Sequence, residues 1–116
     1  MAVPVDPDFR ARMQALADKF AARVPATLDG IEQALAACRG DGGTAGLERL
    51  HELLHGVAGT AGTFGFGMLG QQARRLEQRL REVMAGRATW DVALADEVEI
   101  FLRWARLDPA ADQYVA

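Results

Sequence analysis

Apolar residues recur along this chain at steps of three and four, the spacing that lines one face of a helix. Asp6-Pro7 reads as a helix cap followed by proline at the first helical position, ahead of Phe9, Met13, Leu16, Phe20 and Val24. Pro25 lacks an amide proton, so the pattern predicts one helix over 7–23 and a second over 25–38 carrying Leu28, Ile31 and Leu35. The breaker RGDGG at 39–43 ends it. Thr44 is placed to cap a third helix over 44–63, whose seam is Leu47, Leu50, Leu54, Val57, Ala61 and Phe64. After a turn at Gly65 and Gly67, a fourth helix over 67–85 carries Leu69, Ala73, Leu76, Leu80 and Val83 and closes at Gly86. Thr89 opens a fifth over 90–107, with Val92, Leu94, Val98, Phe101, Leu102 and Ala105 in its apolar set, and Asp108-Pro109 closes it. Residues 110–116 read as a loose tail.

Short loops make sequential helices antiparallel neighbours. The expected fold is all-α: an up-down-up-down antiparallel four-helix bundle with an additional N-terminal helix, in one domain spanning 1–116.

Composition narrows the function classes. A net charge of −3 over 116 residues argues against a nucleic-acid partner, which calls for a basic face. The single cysteine, Cys38, has no internal partner and suits a reducing compartment. No apolar run reaches membrane-spanning length, and MAVPVDPDFR lacks the layout of a secretory signal, so a cytoplasmic location is expected. Trp90 and Trp104 read as core packing.

The stretch HELLHGVAGTAGTF at 51–64 holds the candidate chemistry and admits two readings. His51, Glu52 and His55 fit H-E-x-x-H, the helix-borne zinc site of metalloproteases. Such a site needs a third ligand and an open position for water. The extended form of the motif would place glycine and histidine where this chain has Ala58 and Ala61, and there is no third histidine. Glu77 is available by count, yet nothing in the pattern supplies a strand or a cleft for a peptide substrate. A zinc hydrolase is the least favoured reading, and no metal site is expected.

The other reading centres on one imidazole. At about 100° per residue, His55 falls roughly 130° from the centre of the seam and faces outward, while His51 lies nearer the boundary at about 90°. Gly59 and Gly62 share the side of His55, although each glycine in mid-helix costs about 1 kcal/mol relative to alanine. Bare backbone there fits either clearance for a second macromolecule approaching the histidine or the tight helix–helix packing that small residues also serve, beside a histidine that is merely on the surface.

The segment HGVAGTAGTFGF resembles the signature of histidine-containing phosphotransfer (Hpt) domains, with His55, Val57, Gly59, Thr60, Ala61 and Gly65 at the corresponding places. The flanking segments FAARVPATLDGIEQAL and ARRLEQRL are similar too, and the resemblance covers roughly residues 9–106. It implies a phosphoryl carrier without catalytic machinery of its own. His55 would accept the group from a receiver-domain aspartate and pass it to another receiver, within a relay fed by a hybrid sensor histidine kinase. No cofactor is implied for this chain, since the receiver would bring Mg²⁺. The resemblance also places Glu77 beside the histidine to orient the imidazole. One departure stands out: the position three after the histidine, often lysine in the family, is Ala58. Ala58 joins Gly59 and Gly62 in the expected cleared surface, and Arg74 and Arg81 are the candidates to support phosphate charge in place of the lysine. His51 is the rival acceptor, without glycine four residues on, and is expected to face a partner or to be partly packed. The competing function is an Hpt-like docking module that binds a receiver or kinase without carrying phosphate.

Overall fold

The computed structural model describes residues 6–40 and 43–115; residues 1–5, Asp41 and Gly42 of the expected breaker, and Ala116 lie outside the described residues. Among the described residues four α-helices make up the fold: α1 (Pro7–Arg39), α2 (Gly43–Thr60), α3 (Gly67–Met84) and α4 (Val92–Leu107). A single 3₁₀ turn, Ala61–Phe64, joins α2 to α3. Among the described residues there is no strand.

The first two expected helices are one. A 33-residue helix runs through Pro25 without interruption, so among the described residues there is no separate N-terminal helix. The reason lies in the seam. Val24, Leu28, Ile31 and Leu35 are all buried, and their phase carries across the proline unchanged. Pro25 is itself exposed and forfeits one backbone hydrogen bond on the solvent side, a loss that burial of its neighbours outweighs. Asp6 caps the start by accepting from the Asp8 amide at 3.0 Å.

The remaining boundaries follow from local chemistry. Gly65 (φ 90°) lets the Phe66 amide reach the Ala61 carbonyl at 2.9 Å, which closes the 3₁₀ turn with a left-handed residue that side chains rarely tolerate. The cap of α4 is Asp91, which accepts from the Leu94 amide at 2.8 Å, rather than Thr89. The tail expected to be loose packs instead: Trp104 Nε1 donates to the Gln113 carbonyl at 2.8 Å, and the Tyr114 ring meets Trp104 edge-on at 5.1 Å.

Each helix packs against its two neighbours around a closed square, α1 on α2 and α4, α3 on α2 and α4. Cross-helix contacts fix the directions. Gly30 and Gly46 of α1 and α2 face Leu53 and Cys38, and Arg106 and Arg39 bridge the two ends of the α1–α4 pair to Asp29 and Glu32 and to Asp96 and Glu99. Sequential neighbours are therefore antiparallel, and α4 runs antiparallel to α1. The core between them is Ile31, Leu50, Leu54, Leu69, Leu76, Leu80, Leu94, Val98 and Phe101, each no more than 2% exposed. No helix is long and apolar enough to cross a membrane among the described residues.

Two glycines let helices approach closely. A Cβ on Gly46 would stand 3.1 Å from the Cys38 backbone nitrogen, and one on Gly70 would stand 3.4 Å from the Gly62 nitrogen. The backbone of α1 cannot yield as a flexible side chain would. Gly46→Ala is accordingly expected to lower stability by about 1–3 kcal/mol, a cost of overpacking, despite alanine's better helix propensity. Pro25→Ala is expected to raise stability, by up to about 3 kcal/mol, through the restored hydrogen bond of α1. Chemical denaturation followed by circular dichroism measures both, and equal midpoints for the two variants would contradict this account of α1.

Candidate functional site

The candidate site lies where α2 meets α3, in the half of α2 that precedes the 3₁₀ turn. The apolar seam of α2 turns Leu50, Leu54, Val57, Ala58 and Ala61 into the core. Helical rotation then leaves His55 outside, with its side chain 66% exposed, and His51 at the edge, 21% exposed. Gly59 and Gly62 sit beyond His55 toward the end of the helix, both exposed, and a Cβ at either would meet nothing within 4 Å. Internal packing therefore gives no reason for glycine at these two positions.

Ala58 does not belong to that surface. It is 9% exposed and lies on the seam, four residues after Leu54 and three before Ala61. Its carbonyl oxygen faces α3 and accepts from Arg74 at 3.2 Å.

From α3, Glu77 enters the same seam. It follows Ala73 by one turn and precedes Leu80 by three residues, both fully buried, and is itself only 2% exposed. A buried carboxylate requires partners. Its Oε1 lies 2.7 Å from His55 Nδ1 and 2.6 Å from an Arg81 amino group one turn along α3. Burial pushes the carboxyl upward, but the hydrogen bond from His55 together with the charges of His55, Arg81 and His51 outweighs it and holds Glu77 below the usual carboxylate range. An ionised carboxylate only accepts, so the proton of this hydrogen bond sits on His55 Nδ1. In a neutral ring that leaves Nε2 as the nitrogen with a free lone pair.

His51 reaches the same oxygen less closely. Its Nε2 is 3.5 Å from Glu77 Oε1, buried and without a hydrogen bond, and its ring lies nearly parallel to that of His55 at 6.0 Å. Glu52 points elsewhere, exposed and paired with Arg49 at 3.3 Å. The three residues of the H-E-x-x-H match thus do not converge, and among the described residues no cluster of three or more His, Cys, Asp or Glu side chains is arranged to hold a metal ion.

The two arginines differ. Arg81 spends its charge on Glu77 while remaining more than half exposed, whereas Arg74 is anchored on the Ala58 carbonyl, one residue from Gly59. Pattern reading missed an apolar recess between α1 and α2, lined by Phe20, Val24, Thr27, Leu53, Gly56 and Val57, that borders the residue after His55. Its only sequence signal is Leu53, an apolar residue off the main seam of α2.

The depressed Glu77 carboxyl ties stability to pH. A group whose folded-state pKa is lowered stabilises the protein above its unfolded pKa and loses that contribution as pH falls through the folded value. Glu77→Gln removes the charge at constant shape and is expected to cost about 1–3 kcal/mol near neutral pH, the penalty of weakening a buried network. The gap between wild type and variant should begin to narrow below the ordinary glutamate range, about pH 4.3, and close only once the pH has fallen through the depressed folded-state value of Glu77. Thermal unfolding across that range measures it, and a gap that widens in acid would overturn the assignment of Glu77 as ionised.

No curated protein and no solved structure matches this chain. The family model of the Hpt domain does, over residues 15–107, a span that takes in the histidine, its carboxylate partner and nearly the whole bundle. The chain belongs to the Hpt domain family, whose members are phosphoryl carriers, rather than catalytic enzymes, that work with receiver domains in phosphorelays.

Proposed function

We propose that His55 is the phosphoacceptor and that Nε2 is the reacting nitrogen. One observation carries this reading: an imidazole two-thirds exposed whose inner nitrogen is tied at 2.7 Å to a buried carboxylate. The hydrogen bond selects the tautomer with the proton on Nδ1 and presents the Nε2 lone pair to solvent.

The transfer follows from that tautomer. The Nε2 lone pair attacks the phosphorus of an aspartyl phosphate on a receiver domain, and a P–N bond forms. The P–O bond to the aspartate breaks, and its electron pair leaves with the aspartate carboxylate. The ring keeps its Nδ1 proton and takes up positive charge, which Glu77 stabilises from within the bundle. In the reverse direction the retained proton lets a neutral imidazole depart when a second receiver's aspartate attacks. Phosphoryl transfer of this kind depends on positioning and charge neutralisation more than on covalent help from the carrier. The receiver brings Mg²⁺. Arg74, held beside the end of α2, and Arg81, tied to Glu77 but still exposed, support the phosphoryl charge that lysine supports at the position of Ala58 elsewhere in the family.

Gly59 and Gly62 keep the approach to Nε2 open, and the recess beside Gly56 offers apolar contact to the docking receiver. A hybrid sensor kinase upstream and a cytoplasmic setting complete the reading. His51, mostly buried and aimed at Glu77, does not accept phosphate.

A receiver charged by its kinase with labelled ATP, mixed with wild type and variants, tests the proposal. Acid-labile, base-stable label is expected on wild type and on His51→Gln and not on His55→Gln. Label on His55→Gln, or none on wild type with receivers that bind it, would refute the carrier reading; binding without transfer is the signature of a docking module.

Gly59→Leu should slow transfer by about 100-fold, the scale of an ångström-sized displacement of reacting groups. It should leave the fold intact, since the space around Gly59 is open. Single-turnover kinetics and circular dichroism check the two halves, and an unaltered transfer rate would remove Gly59 from the docking surface.

A further inference from the structure

Glu77 Oε1 is approached by three nitrogen-bearing side chains, and the phosphotransfer chemistry uses only two of them. The third, His51, is the anomaly. Its Nε2 is buried, makes no hydrogen bond, and stops 3.5 Å from the oxygen that His55 occupies at 2.7 Å. A buried polar nitrogen left unpaired is costly, so its position calls for a reason. The carboxylate supplies one. A lone pair on Nε2 would face a negative oxygen and repel it, so the arrangement favours a proton on that nitrogen. His51 is then a second, weaker claimant on the charge that holds His55.

We propose that His51 is a positioning residue for the phosphotransfer, acting through Glu77: as its imidazole gains a second proton, it draws the shared carboxylate away from His55 Nδ1 and disfavours the phosphorylated state of His55. The inference rests on the carrier reading above. Two effects act in the same direction. The carboxylate divides its charge between two rings, so the positive phospho-imidazole is less stabilised. The charged His51 ring, nearly parallel to His55 at 6.0 Å, also repels that ring's positive charge. An imidazole is the side chain that makes this change between about pH 5 and 8. The charged and titratable groups facing His51 are few. From α3 they are Glu77 and Arg81, which share Oε1; from α2 itself there is His55. Among the described residues no carboxylate of α1 or α4 lies within ion-pair distance of it. The carrier would hold phosphate more firmly in alkali and hand it on more readily in mild acid.

The experiment compares wild type with His51→Gln, which keeps a donor amide and does not titrate, and with His51→Phe, which keeps a ring and removes the nitrogen. The readout is the equilibrium distribution of label between receiver and carrier at pH 6 and pH 8. Dividing wild type by variant cancels the titration of the phosphoryl group, which both proteins share, and leaves the part that depends on His51. That quotient should fall by about 5-fold or more from pH 8 to pH 6, the lower end of the coupling typical of interacting sites. In parallel, the ¹⁵N resonances of the His55 ring, followed over the same range without phosphate, should titrate differently in wild type and in His51→Gln. A quotient that stays constant, with matching His55 titrations, would overturn the proposal. Should His51→Phe fail to fold, His51→Gln decides alone. Should wild type never take label, the carrier reading fails, and the nitrogen resonances still decide whether His51 and His55 are coupled.

Discussion

One buried carboxylate organises the functional end of this bundle. Glu77 occupies a place on α3 where leucine or alanine would serve packing alone, between Ala73 and Leu80 and beside the core face of α2. An ionised group there is tolerable only with partners, and it finds them in an arginine of its own helix and an imidazole of the next. This requirement fixes the rotation of α2 against α3, because His55 reaches Oε1 from one register only. The same hydrogen bond decides which imidazole nitrogen carries the proton. Packing and chemistry meet in a single contact, and disturbing either disturbs both.

The rest of the site is built by what is left out. Gly59 and Gly62 have no internal neighbour that forbids a side chain, so their bareness concerns what comes from outside. Gly46 and Gly70 are bare for the opposite reason, with another helix against them at van der Waals distance or closer. The four glycines look alike in the sequence and do two different jobs. Arginine is likewise divided: Arg39, Arg75, Arg79 and Arg106 tie α4 to its neighbours through largely exposed pairs worth little individually, while Arg81 shares Glu77 with the histidine and Arg74 is held on the Ala58 carbonyl.

Much of this was legible in the residue pattern, and the failures have physical causes. The seams of α2, α3 and α4 and the outward direction of His55 follow from helical rotation, which depends on sequence alone. Glu77 was placed beside the histidine by the resemblance alone, although its spacing from Ala73 and Leu80 sets a charge on an apolar seam. The break placed at Pro25 shows the limit of a local rule: the seam from Phe20 through Val24, Leu28 and Ile31 keeps its phase, and that continuity outweighs one lost hydrogen bond. Ala58 was expected on the cleared surface with Gly59 and Gly62, though its spacing from Leu54 and Ala61 puts it inside. The shared oxygen between His51 and His55 had no sequence signal, since it depends on the distance between two helices. The packed tail was unreadable for the same reason, its Tyr114 meeting Trp104 across a chain reversal.

The length of α1 has a mechanical consequence. Its aromatic anchor is Phe20, which packs on Phe64 and Phe66 at the α2–α3 turn; the turns before it leave Phe9 48% and Leu16 46% exposed. Those turns stand where the bundle has no second layer, so their cohesion is close to that of an isolated helix, which is marginal at this length. Amide protons should therefore exchange along a gradient, fastest at the cap by Asp6 and slowing sharply from Phe20 onward. The first turns of α1 can unwind and rewind without the core beneath His55 registering it.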